Sequence, residues 1–182
     1  MDAWIKQHLG LAYDAGGEWA QTGEVIVPLL NALVADPYFL LPPPKSLGKE
    51  YFSQQWLEDY LQADYVPENV QATLLALTAN TIADVVNNSP YHLKRVAICG
   101  GGVHNVALLT EVSTCLPNLW VGSTSLLGID PDYMEAMMLA WLASKTLRQT
   151  PLDLTRITGS RKEAIYGVIY AAGIDKRNSI DV

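Results

Sequence analysis

Apolar positions along the chain fall into helical and strand-like stretches with few ambiguities. The longest regular stretch is Pro67 to Asn87, where Val70, Leu74, Leu77 and Val85 mark one face and Ala72, Ala76, Ala79 and Ala83 lie beside it. Pro67 and Glu68 suit its first turn, and Asn87-Asn88-Ser89-Pro90 ends it. A second helix spans Asn105 to Leu116 with Leu108, Leu109, Val112 and Leu116 inward, and a third runs from Pro131 to about Arg148. The stripe of that third helix (Met134, Met137, Met138, Trp141, Leu142) is expected to be core packing, not a cofactor box. Leu93 to Cys99 and Leu119 to Val121 read as short buried strands. Helix, strand, helix, strand in that order implies a parallel βαβ crossover, hence an α/β fold.

The first sixty-odd residues are less regular. Met1 to Leu9 forms a helix with Trp4, Ile5 and Leu9 on one face, stopped by Gly10. It begins where the chain begins and reads like the middle of something longer. Tyr13 to Gly17 is a turn, and Val25 to Val34 is a helix with Pro28 in its first turn. From Asp36 to Gly48, with prolines at 42, 43 and 44, a stiff extended connector is expected. Its apolar neighbours favour a linker laid over the surface over a proline-rich ligand. Phe52 to Leu61 returns to a short helix, and Ile165 to Tyr170 alternates weakly enough to suit either a strand or a short helix.

A net charge of −7 over 182 residues argues against nucleic-acid and anionic-membrane partners. A bound phosphate would then be held by backbone dipoles, a few cations and a metal ion. Cys99 and Cys115 are expected to be reduced, packed thiols, and His8, His92 and His104 have no zinc-ligand spacing. No apolar run approaches the ~20 residues of a membrane span and no signal peptide is visible, so a cytoplasmic protein is expected.

Candidate chemistry concentrates where the first strand meets Gly100-Gly101-Gly102-Val103-His104-Asn105. Glycines at the carboxyl end of a strand, before a helix, let a nucleotide approach the main chain. Here the third glycine of the dinucleotide fingerprint is missing, no acidic residue follows about twenty positions on, and no Gly-Lys-Ser/Thr marks a phosphate loop. A nucleotide-facing loop and a tight strand-to-helix turn both remain open. Glu135, about one turn inside the third helix, can accept two sugar hydroxyls or stand as a solvated helix carboxylate. Asp130 and Asp132 read as helix-capping residues, and no nucleophile–base pair or His–Asp partnership can be argued.

Four ordered motifs carry a resemblance: Met-Asp-Ala-Trp at 1–4, Pro-Pro-Lys-Ser-Leu-Gly-Lys-Glu at 43–50, Cys-Gly-Gly-Gly-Val-His-Asn at 99–105 and Gly-Ile-Asp-Pro-Asp-Tyr-Met-Glu-Ala at 128–136. Together with Thr158-Gly159 and Tyr166 to Tyr170, they resemble the carboxyl-terminal half of the anhydro-N-acetylmuramic acid kinase family. The resemblance implies one lobe of an actin-like (ribonuclease H-like) ATPase fold with a mixed sheet flanked by helices. Residues 10–65 would form an irregular helical and proline-rich insertion and 66–182 the α/β core. It also implies ATP and Mg2+, with Gly100, Gly101, Gly102 and Asn105 bordering the nucleotide and Glu135 reaching the anhydro-amino-sugar. The family's Gly-x-Ser-x-Asp-Gly phosphate loop and its Asp-x-Gly-Pro-Gly-Asn segment, with the water-activating aspartate, do not occur in this sequence. Catalytic and metal-binding residues are therefore not expected here. A split or truncated kinase, inactive alone and acting as a homodimer or with an amino-terminal lobe, is the first expectation. A non-catalytic nucleotide-binding or assembly module is the second.

Overall fold

A computed structural model describes residues 1–48 and 50–170. In chain order it contains α1 (Asp2–Leu9), α2 (Val27–Val34), α3 (Pro37–Leu40), α4 (Gln54–Glu58), α5 (Pro67–Asn87), β1 (Arg95–Ile98), α6 (Val106–Cys115), β2 (Trp120–Ser123), α7 (Met134–Leu147) and α8 (Thr155–Thr158). These fall into two compact units, Met1–Glu135 and Ala136–Val182.

In the first unit α5 is the central element: Val70 to Leu77 and Ala79 are all buried, Gln71 and Thr73 among them, so neighbours cover this stretch on nearly every side. On one side Val70, Leu74 and Leu77 join Trp4, Leu29, Leu33 and Leu57 in a core shared with α1, α2 and α4. On the other, Leu75, Ala79 and Ala83 meet Leu108, Val112 and Leu116 of the α6 region, and the alanines admit close approach. Val85 departs from the expected face: it is 61% exposed, because the last turns of α5 run beyond the core. Leu109, expected inward, is only half-buried.

Polar ties fix how the irregular segment lies on this helix. Trp4 Nε1 donates to Pro67 O at 2.8 Å, and Asn69 Oδ1 and Thr73 Oγ1 accept the backbone N–H groups of Glu24 and Ile26. The buried Asp14 carboxylate accepts from Trp19 N, Ala20 N and Gln71 Nε2, pinning the 14–20 turn to α5. Buried carboxylates persist when several donors meet them.

The segment after α2 corrects the extended-connector expectation. Asp36 caps a helical turn, α3, by accepting Tyr38 N–H at 2.8 Å. The same carboxylate, 3% exposed, accepts from Trp56 Nε1 at 2.8 Å and from the hydroxyls of Tyr51 and Tyr60. Lys45 donates to the carbonyls of Tyr38 and Phe39, closing the carboxyl end of that turn. Local proline chemistry had pointed to extension, and a tertiary carboxylate folded the segment back.

β1 and β2 pair in parallel with Arg95 opposite Trp120 and Ile98 opposite Ser123, and α6 is the crossover between them. The α/β class and parallel crossover therefore stand. The expected mixed sheet is, among the described residues, this pair of parallel strands. Cys99 is exposed, against expectation, because it lies just beyond the strand; Cys115 is half-buried, its thiol pushed up by burial.

In the second unit the methionine stripe departs most from expectation. Met137, Met138 and Trp141 are each about half exposed, so they are not core residues here. Its helix also begins at Met134, because Pro131–Tyr133 form a separate 3-10 turn. Within this unit the Thr146 hydroxyl donates to Tyr166 O, and Leu152 and Ala164 form an isolated antiparallel bridge. Ile165 to Tyr170 is neither strand nor helix, and residues 171–172 lie outside the described residues.

Candidate functional site

The carboxyl ends of both strands open into one place. β1 leads through Cys99 into Gly100, and β2 ends at Ser123, its register partner being Ile98. Ligands of α/β sheets bind at such strand ends, where loops diverge and backbone N–H groups are free.

Gly100 has φ 73° and ψ −175°, backbone that side chains disfavour, and this is what turns the chain out of the strand. Gly101–His104 then form a 3-10 turn, and Asn105 starts α6 by accepting Leu108 N–H at 2.9 Å. Gly100 N–H donates to Pro131 O at 2.9 Å, whereas among the described residues no loop bond uses the first-turn N–H groups of Gly101 and Gly102. A Cβ built on Gly100 or Gly101 meets nothing within 4 Å, so open space lies directly against this backbone. A tight turn alone explains Gly100. Gly101 is exposed and its φ is not positive, so the open space there suits a ligand face and a surface turn alike.

A cleft of about 610 Å³ lies beside the loop, lined by His104, Ser123, Ser125, Asp130 and Asp132 together with Val103 and the 128–131 backbone. Among the described residues, its charged and polar lining comprises two carboxylates, two hydroxyls and one imidazole, without a lysine or arginine. Such a lining suits the hydroxyls of a neutral ligand portion and offers phosphate charges no counter-ion. Among the described residues no trio of His, Cys, Asp or Glu is arranged to hold a metal ion.

The structure thus brings Gly100, Gly101, Gly102 and Asn105 together at the strand end, with Asn105 Oδ1 spent on capping. Glu135 lies exposed in the first turn of α7, outside the cleft lining, and no side-chain hydrogen bond holds it among the described residues. Asp130 caps the 131–133 turn by accepting Asp132 N–H, as expected. Asp132 does more: His104 Nε2 lies 2.9 Å from its Oδ1. A His–Asp pair therefore exists where none could be argued, because its members are 28 residues apart and only the crossover joins them. Gly17 was also missed. A Cβ there would collide with Asn105 Oδ1 and come within 2.6 Å of Ala107 Cβ, so the 14–17 turn backs the loop directly. Only its glycine pair signalled this.

Paired parallel strands, a glycine-rich strand-to-helix loop and a polar cleft at their carboxyl ends define an α/β protein with the strand-end arrangement at which ligands of such folds commonly bind. A model of the family described as anhydro-N-acetylmuramic acid kinase matches residues 1–172, and the chain belongs to that family. A relative of that name from Legionella pneumophila (strain Corby) is 52% identical over 170 residues, covering 93% of this chain and 46% of its own. Namesakes from Xanthomonas campestris pv. campestris (strain 8004) and Nitrosomonas europaea are 46% and 44% identical over 94% of this chain, or 46% and 47% of theirs. The chain spans about half the length of these curated relatives. Among the described residues no helix is long and apolar enough to cross a membrane.

Proposed function

We propose that this chain is the carboxyl-terminal part of a cytoplasmic, actin-like kinase that phosphorylates 1,6-anhydro-N-acetylmuramic acid while water opens the anhydro bridge. The product would be N-acetylmuramic acid 6-phosphate, in peptidoglycan recycling. The observation that carries this reading is the open space against Gly100 and Gly101 at the end of a parallel strand, in a chain of this family. Gly100, Gly101 and Gly102 border the nucleotide, Asn105 holds the exit of the loop, and Glu135 accepts hydroxyls of the sugar. ATP with Mg2+ supplies the phosphoryl group when bound.

The lining of the cleft also supports a divided site. With no lysine or arginine there among the described residues, the phosphates and Mg2+ would be met by an amino-terminal lobe carrying the phosphate loop and the water-activating aspartate. Phosphoryl transfer depends on positioning phosphates, metal and nucleophile together, so the 182-residue chain alone should turn over negligibly. The test is a coupled kinase assay with ATP, Mg2+ and the anhydro-sugar, on the chain alone and with the amino-terminal half of the Legionella relative added. Turnover only in the mixture is expected. Turnover by the chain alone at a full-length rate refutes the divided site. Calorimetric ATP binding with no turnover in the mixture would instead favour a non-catalytic nucleotide-binding module.

A further inference from the structure

The pair His104 and Asp132 is absorbed neither by the nucleotide loop nor by the sugar carboxylate, yet it lies between them. We propose that it is a clasp that fixes the glycine loop to the Pro131–Tyr133 turn, which leads directly into the first turn of α7 and Glu135, so that the two halves of the site keep one spacing. His104 ends the 3-10 turn that begins at Gly101, and Asp132 lies inside the turn Pro131–Tyr133, three residues before Glu135. His104 Nε2 is 2.9 and 3.2 Å from the two Asp132 carboxylate oxygens. A carboxylate only accepts, so Nε2 carries the shared proton.

This contact does not act by itself. At the other end of the same loop, Gly100 N–H donates to Pro131 O at 2.9 Å. Asp130 Oδ1 accepts Asp132 N–H at 2.9 Å, which holds the Asp132 backbone as its side chain reaches across. The loop is thereby tied to the turn at its first residue through the main chain and at its last through side chains. Loop and turn then move as one body, and α7 starts directly after the turn. The side chains of His104 and Asp132 are 62% and 56% exposed, so their role is positioning and not core support. An exposed pair of this kind holds its partners by a modest factor. That suffices to set the spacing of two ligand halves without locking it. The use of the clasp in phosphoryl transfer rests on the kinase reading above, but its existence does not.

Amide hydrogen exchange on the complete chain, without ligand, tests it. Asp132→Ala should raise exchange about threefold to fivefold at the bonded amides of the loop (Gly100, Val103, Asn105) and of the turn (residue 132 and Tyr133) alike. Amides of α5 should not change. His104→Ala should reproduce that pattern, and the double variant should exceed neither single one. Asp132→Asn keeps an oxygen that accepts from Nε2 and should stay close to the parent chain. Unchanged loop amides in Asp132→Ala, a response confined to one of the two segments, additive single effects, or Asp132→Asn as loose as Asp132→Ala would each overturn the clasp. A chain that passes this test but binds no ATP in calorimetry refutes the kinase reading and leaves the clasp standing.

Discussion

Gly100 and Gly101 are neighbours with different physical requirements, and substituting each by alanine separates the two roles open to the loop. Gly100 sits at φ 73°, ψ −175°, a region essentially restricted to glycine, and forcing alanine there costs about 1–3 kcal/mol of backbone strain. In a chain of this size that lowers Tm by roughly 2–4 °C per kcal/mol. Gly101 has no positive φ and begins a 3-10 turn, so alanine there should leave stability within about 1 kcal/mol of the parent, on the favourable side. Among the described residues neither methyl meets a protein atom within 4 Å. Any loss of ligand affinity in Gly101→Ala must therefore come from the ligand, whose face the methyl would meet. Intruding one methyl into a well-packed contact costs about 1–3 kcal/mol, or about fivefold to 150-fold in Kd. Thermal unfolding and calorimetry with ATP–Mg2+ measure the two quantities on the same samples. Gly101→Ala should keep its Tm and lose affinity, whereas Gly100→Ala should lose both. A Gly101→Ala chain that binds nucleotide as tightly as its parent would show that the loop is a turn and nothing more.

Other perturbations reach the site or its support from further away. Gly17→Ala puts a methyl against Asn105 and Ala107 at φ 74° and should cost about 2 kcal/mol or more, read from the denaturant midpoint. Because Asn105 caps α6, exchange should rise along its first turn in particular. Asp36→Ala leaves the Trp56, Tyr51 and Tyr60 donors without their acceptor and should cost about 2–4 kcal/mol in urea unfolding. Burial pushes the Asp36 carboxyl up, but the hydrogen bonds from Trp56, Tyr38 N–H, Tyr51 and Tyr60 outweigh it and leave it below the usual carboxylate range. Its contribution is therefore complete above the unfolded carboxyl value of about 3.9 and fades as pH falls through the lower folded value. The parent should lose stability over that acid window, and a shallower Asp36→Asn profile there supports the assignment; parallel profiles refute it.

Much of the architecture was legible in local pattern. The start and end of α5, the Gly10 stop, the Asn105 and Asp130 caps and the parallel crossover follow from residue spacing and capping chemistry, which act within a few residues. The four motifs likewise identified the family before any coordinate was needed, since the order and identity of residues are properties of the chain alone.

Tertiary structure decided the rest, wherever the deciding partner was distant in sequence. Prolines 42 to 44 argue for extension, but Asp36 gathers Trp56, Tyr51 and Tyr60 and folds the segment around itself. The spacing of Met137, Met138 and Trp141 describes a stripe, but whether a stripe is covered depends on what stands opposite, and these three remain about half exposed. Pairing His104 with Asp132, and seating Gly17 against Asn105, required the crossover and the long helix to be in place first. Periodicity and capping are local energies, carried by the sequence itself. Burial and side-chain partnership depend on which surfaces the folded chain brings together, and no residue carries that information by itself.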